Sequence, residues 1–450
     1  MFDTLVLLRQ YIRVRHLLRF KSRVELVAYQ DRMLAKFFSK TLHKSTFYSA
    51  FKQRAFKHRA LDDFPIMNKA KMLENFDALN SASLSLQDAM AEAEQGEKSR
   101  NFKPTINGVS VGLSTGTSGT RGVFLVSDRE RMGWAGTILG RMLPGSILAK
   151  HRIAFFLRAN NNLYESVASK GRIEFQFFDL MSSMPQLLAD LHTYKPTILI
   201  APAQVLGILA QAQIRGDIEI SPDKIISVAE VLYDDDAAQI SNAFGKPVSQ
   251  VYQCTEGFLG YSCTHNRLHL NEALMIIEPD WLDEQKERFC PIITDFSRET
   301  QLFIRHRLDD ILTRDPNPCP CGSPEMVIKR IEGRTDDVLV LRDLAGVPQT
   351  LMPDYVTRAI AACPSVLDFK IEQNTDDELV VFLLASDKQL AKAETIQTLA
   401  KLFERHNLRS PTLTIEEQPS NDPTQKRRRV VRAKNIGLPQ NEFKQKGQRK

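Results

Sequence analysis

The sequence predicts an α/β protein with a large, multi-subdomain N-terminal region and a small α+β domain at the C-terminal end. Three observations carry this. Between about residues 105 and 255, short apolar runs alternate with stretches of helical spacing, the pattern of a parallel, helix-covered sheet. Residues 352–362, 366–385 and 388–408 read helix, strands, helix, which suits a separate small domain. The 450 residues are 43% apolar and 25% charged, ordinary values for a globular chain with enough apolar material for a core. At about 100–200 residues per domain, this length fits two to four domains or subdomains.

The elements follow in chain order. Leu5, Leu8, Tyr11 and Ile12, then Val24, Leu26, Val27, Leu34, Phe37 and Phe38, fall at helical spacing and predict two amphipathic helices with basic outer faces within residues 1–60. Arg152–Leu157, Glu174–Leu180, Thr197–Ala201 and Ile225–Val228 read as buried strands. Segments 128–142, 184–193, 203–213 and 235–244 read as the intervening helices. Residues 290–340 read as strand-rich, with turns at Asp315–Asn317 and Gly333. The last stretch, 436–450, is polar and basic and reads as a disordered tail. No internal repeat is present.

The net charge of +6 is unevenly spread. Residues 1–60 hold 14 Lys/Arg against 3 Asp/Glu, a balance of +11; residues 426–450 hold 10 against 1, a balance of +9. Everything between carries −14, so a basic core surface of the nucleic-acid-binding kind is not expected. The basic ends keep open a peripheral membrane contact or another anionic partner. The N-terminal apolar run is interrupted by basic residues and has no small-residue cleavage site. The longest nearly uncharged apolar stretch, Thr197 to Ala212, contains Pro202 and is too short to span a bilayer. A cytoplasmic, reducing setting is therefore expected, in which the six cysteines serve metal binding or catalysis rather than disulfides.

The most informative segment is Leu113–Gly122, LSTGTSGTRG, set between the strand-like VSVGL and VFLV. Glycines let a backbone approach an anion, and Ser/Thr hydroxyls and backbone N–H groups donate to phosphate oxygens. The Walker pattern is absent, because no Lys-Ser/Thr pair follows the glycines. A phosphate loop and a flexible hairpin are both compatible with this composition.

STGTSGTRG resembles the phosphate loop of the adenylate-forming superfamily, in particular its phenylacetate–coenzyme A ligase and deazaflavin-cofactor synthetase branch. Further segments are similar to the family's cores, in the family's order: SVAE (227–230), VYQCTE (251–256), LFIRHRLDDI (302–311), GRTDD (333–337) and QKRRRV (425–430). LRANNNLYES (157–166) and DFPIMNKAKMLENFDALN (63–80) resemble the sub-branch of adenylate-forming enzymes without an assigned acid. The resemblance implies a large adenylation region over 1–333, a hinge at 334–337, a small mobile domain over 338–435 and the tail beyond.

It also implies roles. Ser114, Thr115, Gly116, Thr117, Ser118, Gly119 and Thr120 would hold the β- and γ-phosphates of ATP. Ala229 and Glu230 would border the adenine, and Tyr252 would offer it a ring face. Thr255 would donate to the α-phosphate and Glu256 would hold Mg²⁺, a hard cation that takes oxygen ligands. Asp310 would accept from the ribose hydroxyls, Arg334 would contact ribose or phosphate, and Asp336 would be the hinge pivot. Lys426 would approach the carboxylate and the α-phosphate, with Lys434 the competitor for that register. Read alone, Asp309–Asp310 is surface turn charge, Tyr252 is core, and Lys426–Arg429 is a solvated basic run.

Cys263 and His269 in YSCTHNRLHL, with Cys319 and Cys321 in NPCPCGS, form a second constellation. Three thiolates and an imidazole close a tetrahedral Zn²⁺ site, and a Cys-x-Cys pair among Pro and Gly turns tightly enough to present two sulfurs. His265 and Cys254 compete for the same role, and free buried thiols are the alternative. Cys290 and Cys363 read as core.

The chain departs from the family pattern in several places. The phosphate loop lacks the family's Lys, for which Arg121 is the nearest substitute. Gln253 and Gln425 stand where Gly is usual, and Leu308 and Asp309 stand where a Thr is usual. LRDLAGVPQTLMPD (341–354) lacks the glycine-rich run that helps accommodate coenzyme A. The implied activity is activation of an aromatic or other acyl carboxylate to an acyl-AMP, followed by thioester formation with coenzyme A. Transfer to a carrier protein or an amine is the rival within the class, and a non-catalytic binder acting through the basic ends is the rival outside it. Phe155, Phe156, Asn160 to Asn162 and Tyr164 are expected to line the acid pocket. A monomer or homodimer is expected.

Overall fold

The computed structural model describes residues 2–51, 60–101, 103–114, 121–158, 172–418 and 426–438. The chain divides into two compact units. The first runs to Asp280 and takes in Pro291–Leu308 and Arg314–Lys329; the second contains Trp281–Cys290, Asp309–Thr313 and the chain from Arg330 onward.

The first unit begins with helices α1 (Phe2–Ile12) and α2 (Arg23–Thr41), the second of them capped by Ser22, whose hydroxyl accepts from the Glu25 N–H. An antiparallel hairpin of β1 (Val109–Leu113) and β2 (Val123–Ser127) then leads into α3 (Asp128–Met142). Ser127 and Glu130 form a reciprocal capping box there, so the chain must turn from strand to helix at that point.

Next come β3 (His151–Leu157), β4 (Ile173–Asp179), α4 (Met184–Tyr194), β5 (Ile198–Ala201), α5 (Ala203–Arg215), β6 (Lys224–Ser227), α6 (Asp234–Phe244) and β7 (Val248–Cys254). The expected alternation is present, with boundaries within two residues of those read from the sequence. Strands β3 to β7 pair in parallel in the order β4-β3-β5-β6-β7, and β8 (Gly257–Ser262) and β9 (Leu268–Leu270) extend the sheet antiparallel.

Both sheet faces are covered, which is why these strands read as continuous apolar runs. Ile225 packs to one side with Leu199, Leu206 and Leu209, under α4, α5 and α6. Its neighbour Ile226 packs to the other side with Ile153, Ile198, Val251 and, from α3, Leu139. Helix α1 lies on α3, with the backbone of Leu7 and Tyr11 close to Gly136; a Cβ at Gly136 would come within 2.4 Å of the Leu7 carbonyl oxygen. Phe156 corrects the pocket expectation. It is fully buried in the helix-covered core and stacks on Phe178 with ring centroids 4.5 Å apart. Phe156→Ala is expected to cost about 3–5 kcal/mol, measured by denaturant unfolding. Phe155, on the opposite face, is 5.6 Å from Phe175. Asn160 to Asn162 and Tyr164 lie outside the described residues.

In the second unit Arg288 and Phe289 pair antiparallel with Thr313 and Leu312. Gly333, expected in a turn, sits near the end of the strand Val327–Arg334 with φ +133, and the turn itself is Thr335–Asp337. Then follow α7 (Pro353–Ala361), β10 (Val366–Thr375), β11 (Glu378–Ala385), α8 (Lys388–Arg405), β12 (Thr412–Glu417) and β13 (Val430–Arg432). The four strands order as β12-β11-β10-β13, and the core joins Phe369, Ile371, Val381, Leu399 and Phe403. Within the stretch expected as a tail from 436, Ile436 is buried and Leu438 packs beside Cys290, Ile311 and Val338. Residues 439–450 lie outside the described residues. Among the described residues, no helix is long and apolar enough to cross a membrane.

Candidate active site

The hydroxyl- and glycine-rich segment opens from the end of the β1–β2 hairpin. Its two stems are closed by Ser114: its N–H donates to the Gly122 carbonyl at 2.8 Å, and its hydroxyl accepts from the Gly122 N–H at 2.7 Å. Thr115, Gly116, Thr117, Ser118, Gly119 and Thr120 lie outside the described residues. Two cations stand at the stem. Lys69, the first residue of the helix Lys69–Glu74, donates to the Ser114 hydroxyl at 3.4 Å. Arg121 donates from Nε to the Ser114 carbonyl at 3.1 Å and pairs with Glu97 at 2.6 Å. Arg121, the nearest substitute for the family's lysine, is thus paired with Glu97, and a lysine from 45 residues upstream also reaches the stem. A Cβ at Gly122 would crowd Lys69 Cε at 3.2 Å and Ser114 Oγ at 3.3 Å.

In SVAE, Ser227 ends β6, and Ala229 takes a left-handed backbone with φ +64, a strained choice for a non-glycine residue. The Glu230 carboxylate accepts from the Gln204 N–H at 3.1 Å, so it satisfies an open amide in the first turn of α5.

Strand β7 delivers VYQCTE. Tyr252 is buried, and the Gln253 side-chain amide oxygen (Oε1) accepts from the Trp134 indole N–H at 3.1 Å. At the turn into β8 the Thr255 hydroxyl donates to Glu256 at 2.7 Å, and His306 Nε2 lies 3.9 Å from the Glu256 carboxylate. Burial disfavours the Glu256 carboxylate, but the neighbouring imidazole and the donations from Thr255 and Cys254 outweigh it and hold the group below the usual carboxylate range. Beside the turn, burial pushes Asp295 up to about 6, although Ser297 donates to it at 2.6 and 2.7 Å.

One short segment ties this turn to the hairpin. Arg298 donates to the Thr255 carbonyl at 3.2 Å and to the Leu125 carbonyl at 3.0 Å. The N–H groups of Glu299 and Thr300 donate to Glu130, the capping residue of α3, at 2.6 and 2.9 Å. The Gln301 amide brackets β2, accepting from the Leu125 N–H at 2.9 Å and donating to the Val123 carbonyl at 3.1 Å. Sequence reasoning missed Lys69, His306 and Arg298. The first two lie inside segments it had singled out, 63–80 and 302–311; Arg298 carries no local signal.

In the second unit, Asp309 and Asp310, at the end of LFIRHRLDDI, meet GRTDD. Arg334 donates to Asp309 at 3.2 Å and stands 3.9 Å from Asp310, and the Thr335 N–H donates to the Asp309 carbonyl at 2.8 Å. Asp337 accepts from the Arg334 N–H at 2.9 Å and pairs with Arg428; burial raises its pKa against that pairing. Asp336 carries a buried carboxylate oxygen with no hydrogen-bond partner among the described residues. The basic run is not solvated as its composition suggested. Arg427 and Arg429 lie 3.8 and 3.4 Å from Asp368, and Arg429, almost fully buried, lies over the Phe369 ring at 4.8 Å. Lys426 is partly exposed and Lys434 is exposed.

Cys263, His269, Cys319 and Cys321 converge. Their ligand atoms lie within 4.8 Å of one another, with Cys263 Sγ 3.6 Å from Cys319 Sγ and Cys321 Sγ 3.5 Å from His269 Nε2. Nδ1 of His269 is 3.1 Å from the Glu325 carbonyl, which leaves Nε2 for the cluster. Arg267 holds the cysteine turn by donating to the Pro318 and Asn317 carbonyls at 2.7 and 2.9 Å. His265 and Cys254, the competitors, are outside this group. Three sulfurs and one imidazole nitrogen fit a closed zinc site. Cys290 and Cys363 are buried in the core.

No family model matches the chain, and no curated protein matches it. Solved structures do. A crystal structure of 2-hydroxyisobutyryl-CoA ligase in the postadenylation state, in complex with R3-HIB-AMP, superposes with a TM-score of 0.68 at 14% identity, covering 94% of this chain and 92% of that one. The same ligase in complex with 2-HIB-AMP and CoA in the thioesterification state gives 0.55 at 14% identity, covering 93% and 91%. The fold is that of the adenylate-forming ligases. At this identity the likeness is one of architecture.

Proposed function

We propose that this chain activates an organic carboxylate with ATP and passes the acyl group to the thiol of coenzyme A. The observation that carries the proposal is the joining of a glycine- and hydroxyl-rich loop stem to an ionised Thr255–Glu256 turn through one segment, Arg298–Gln301. The fold supports the same reading, since structures of that fold are held with acyl-adenylates and CoA.

In the first step a substrate carboxylate oxygen bonds to the α-phosphorus, and the bond from that phosphorus to the bridging oxygen breaks, so pyrophosphate leaves with the electron pair. The side chains act by positioning and by neutralising charge. Ser114 and the loop residues up to Thr120 hold the terminal phosphates, and Lys69 adds positive charge at the stem. The Thr255 hydroxyl donates to the α-phosphate. The Glu256 carboxylate, held ionised, suits Mg²⁺, which when bound supplies charge neutralisation on the phosphates. Ala229, Glu230 and Tyr252 border the base, Asp310 accepts from the ribose hydroxyls, and Arg334 contacts the sugar or a phosphate. Lys426 steadies the developing charge, and residues 334–337 hinge between a large domain (1–333) and a small one (338–435), with Asp336 as the pivot. In the second step the thiolate attacks the acyl carbonyl and AMP leaves. Cys263, His269, Cys319 and Cys321 hold a structural zinc. The phenylacetate–coenzyme A ligase branch remains the family comparison that its motifs favour. The pairing of Arg427, Arg428 and Arg429 with acids speaks against a nucleic-acid-binding tail.

The test is carboxylate-dependent ATP–pyrophosphate exchange with pooled aryl, aliphatic and amino acids, with and without coenzyme A. Exchange that coenzyme A draws forward supports the ligase. Exchange that only a carrier protein or an amine draws forward replaces the acceptor. No exchange together with no ATP binding overturns the proposal. Lys426→Ala is expected to lower the first step by about 100-fold while sparing use of a preformed acyl-AMP. The same split produced by Lys434→Ala would move the role to that residue.

A further inference from the structure

Helix α1 has two apolar faces, and among the described residues only one of them is packed. Tyr11 and Val14 are buried against α3, where Gly136 and Gly140 let the backbones approach closely. Leu5, Leu8 and Ile12, spaced i, i+3, i+7 on another face, are 66%, 39% and 50% exposed, and Leu17 just beyond is 68% exposed. The packing on α3 fixes the helix, so this outward stripe belongs to the folded surface.

A second segment joins the stripe. Arg15 donates to the carbonyls of Leu143 and Gly145 at 3.0 and 2.8 Å, fastening the loop after α3 beside the end of the N-terminal helix. That loop exposes Leu148, at 68%, together with Lys150. The same two segments carry the exposed cations Arg9, Arg19, Lys21 and Lys150. Among the described residues Arg9, Arg19 and Lys21 make no ion pair with a carboxylate, whereas Arg23 is paired with Glu272 at 2.5 Å. The loop runs into His151, the first residue of β3, so the patch lies at the amino ends of the parallel strands. Thr255 and Glu256 follow the carboxyl end of β7, the opposite edge of the same sheet.

We propose that this patch docks the first unit on an anionic lipid surface. Exposed leucines rimmed by Arg and Lys form the pattern that sits at a headgroup boundary, apolar side chains inserted and cations on the phosphates. A second copy of the chain fits less well, because a two-fold contact on this face would set the basic rims against each other. Docking at the amino edge leaves the candidate site at the carboxyl edge open to solutes.

The experiment is co-sedimentation of the full chain with vesicles of phosphatidylcholine alone, or of phosphatidylcholine with about 30% phosphatidylserine, at low and high salt. Binding to the anionic vesicles is expected to exceed that to the neutral ones by about tenfold and to weaken by a similar factor on raising the salt. Leu8→Glu with Ile12→Glu should lower it about tenfold with an unchanged melting temperature, both positions being exposed. Arg19→Glu with Lys21→Glu leaves the leucines in place and should remove the preference for anionic lipid, which decides the matter if the first pair disturbs folding. Equal binding to both vesicle types, no binding to either, or light scattering that shows a dimer dissociated by Leu8→Glu would overturn the proposal.

Discussion

Glu256→Gln is expected to lower carboxylate-dependent ATP–pyrophosphate exchange by about 100-fold or more, the scale of losing one preorganised charged contact in a phosphoryl-transfer site. The substitution keeps the shape and removes the charge. In the folded chain that charge is maintained against burial by His306, Thr255 and Cys254, so the protein spends three neighbours on keeping one carboxylate ionised. A group held in this way serves a cation or an imidazole. If it serves Mg²⁺, the variant needs more Mg²⁺ for half-maximal exchange, while its melting temperature stays close to that of the wild type. If it serves only His306, the melting temperature falls and the Mg²⁺ dependence of the residual activity does not move. The second result would take Glu256 out of the proposed site.

The second large effect is at the cysteine cluster. Metal analysis of the purified chain is expected to find zinc bound at the four-residue site, and Cys319→Ser is expected to lose it. The cluster joins the end of β8 and β9 to the turn carrying Cys319 and Cys321, segments more than fifty residues apart, as the contact of Cys263 with Cys319 shows. Losing that crosslink should lower the melting temperature by about 5–10 °C, the shift that roughly 2–3 kcal/mol produces in a domain of this size. A strong chelator should reproduce the shift in the wild type and leave Cys319→Ser unaffected. A folded wild type free of metal would remove the zinc assignment. Cys363→Ser serves as the control, since that thiol lies in the core of the other unit, near Thr398.

The local architecture was legible because it follows from short-range periodicity. Residues 128–142 and 203–213 read as helices from their own spacing, and Ser127 with Glu130 marks a helix start in four residues. The core strands read as strands because both faces are buried. Phe156 shows the limit of such reading. A phenylalanine pair in a strand places one ring on each face, and composition does not say which face meets a core and which meets a ligand.

The basic run at Lys426–Arg429 shows the same limit in charge. Four cations in a row look solvated until partners are known. Here Asp337 and Asp368 absorb three of them, and each lies more than fifty residues upstream. The second unit itself draws in Trp281–Cys290 and Asp309–Thr313, which no linear reading assigns to it.

What the sequence by itself determined about this protein is its α/β alternation, its helix starts, and the residue types available for chemistry: a glycine- and hydroxyl-rich loop, a Thr-Glu turn, and three cysteines with a histidine. Tertiary structure alone decided which of these meet. Lys69 supplies the amine at the loop stem across 45 residues, and Arg298 ties the loop hairpin to the Thr-Glu turn through a carbonyl 173 residues away. The reason is physical: periodicity along a segment sets which face is apolar, whereas a hydrogen bond between segments depends on how those faces pack.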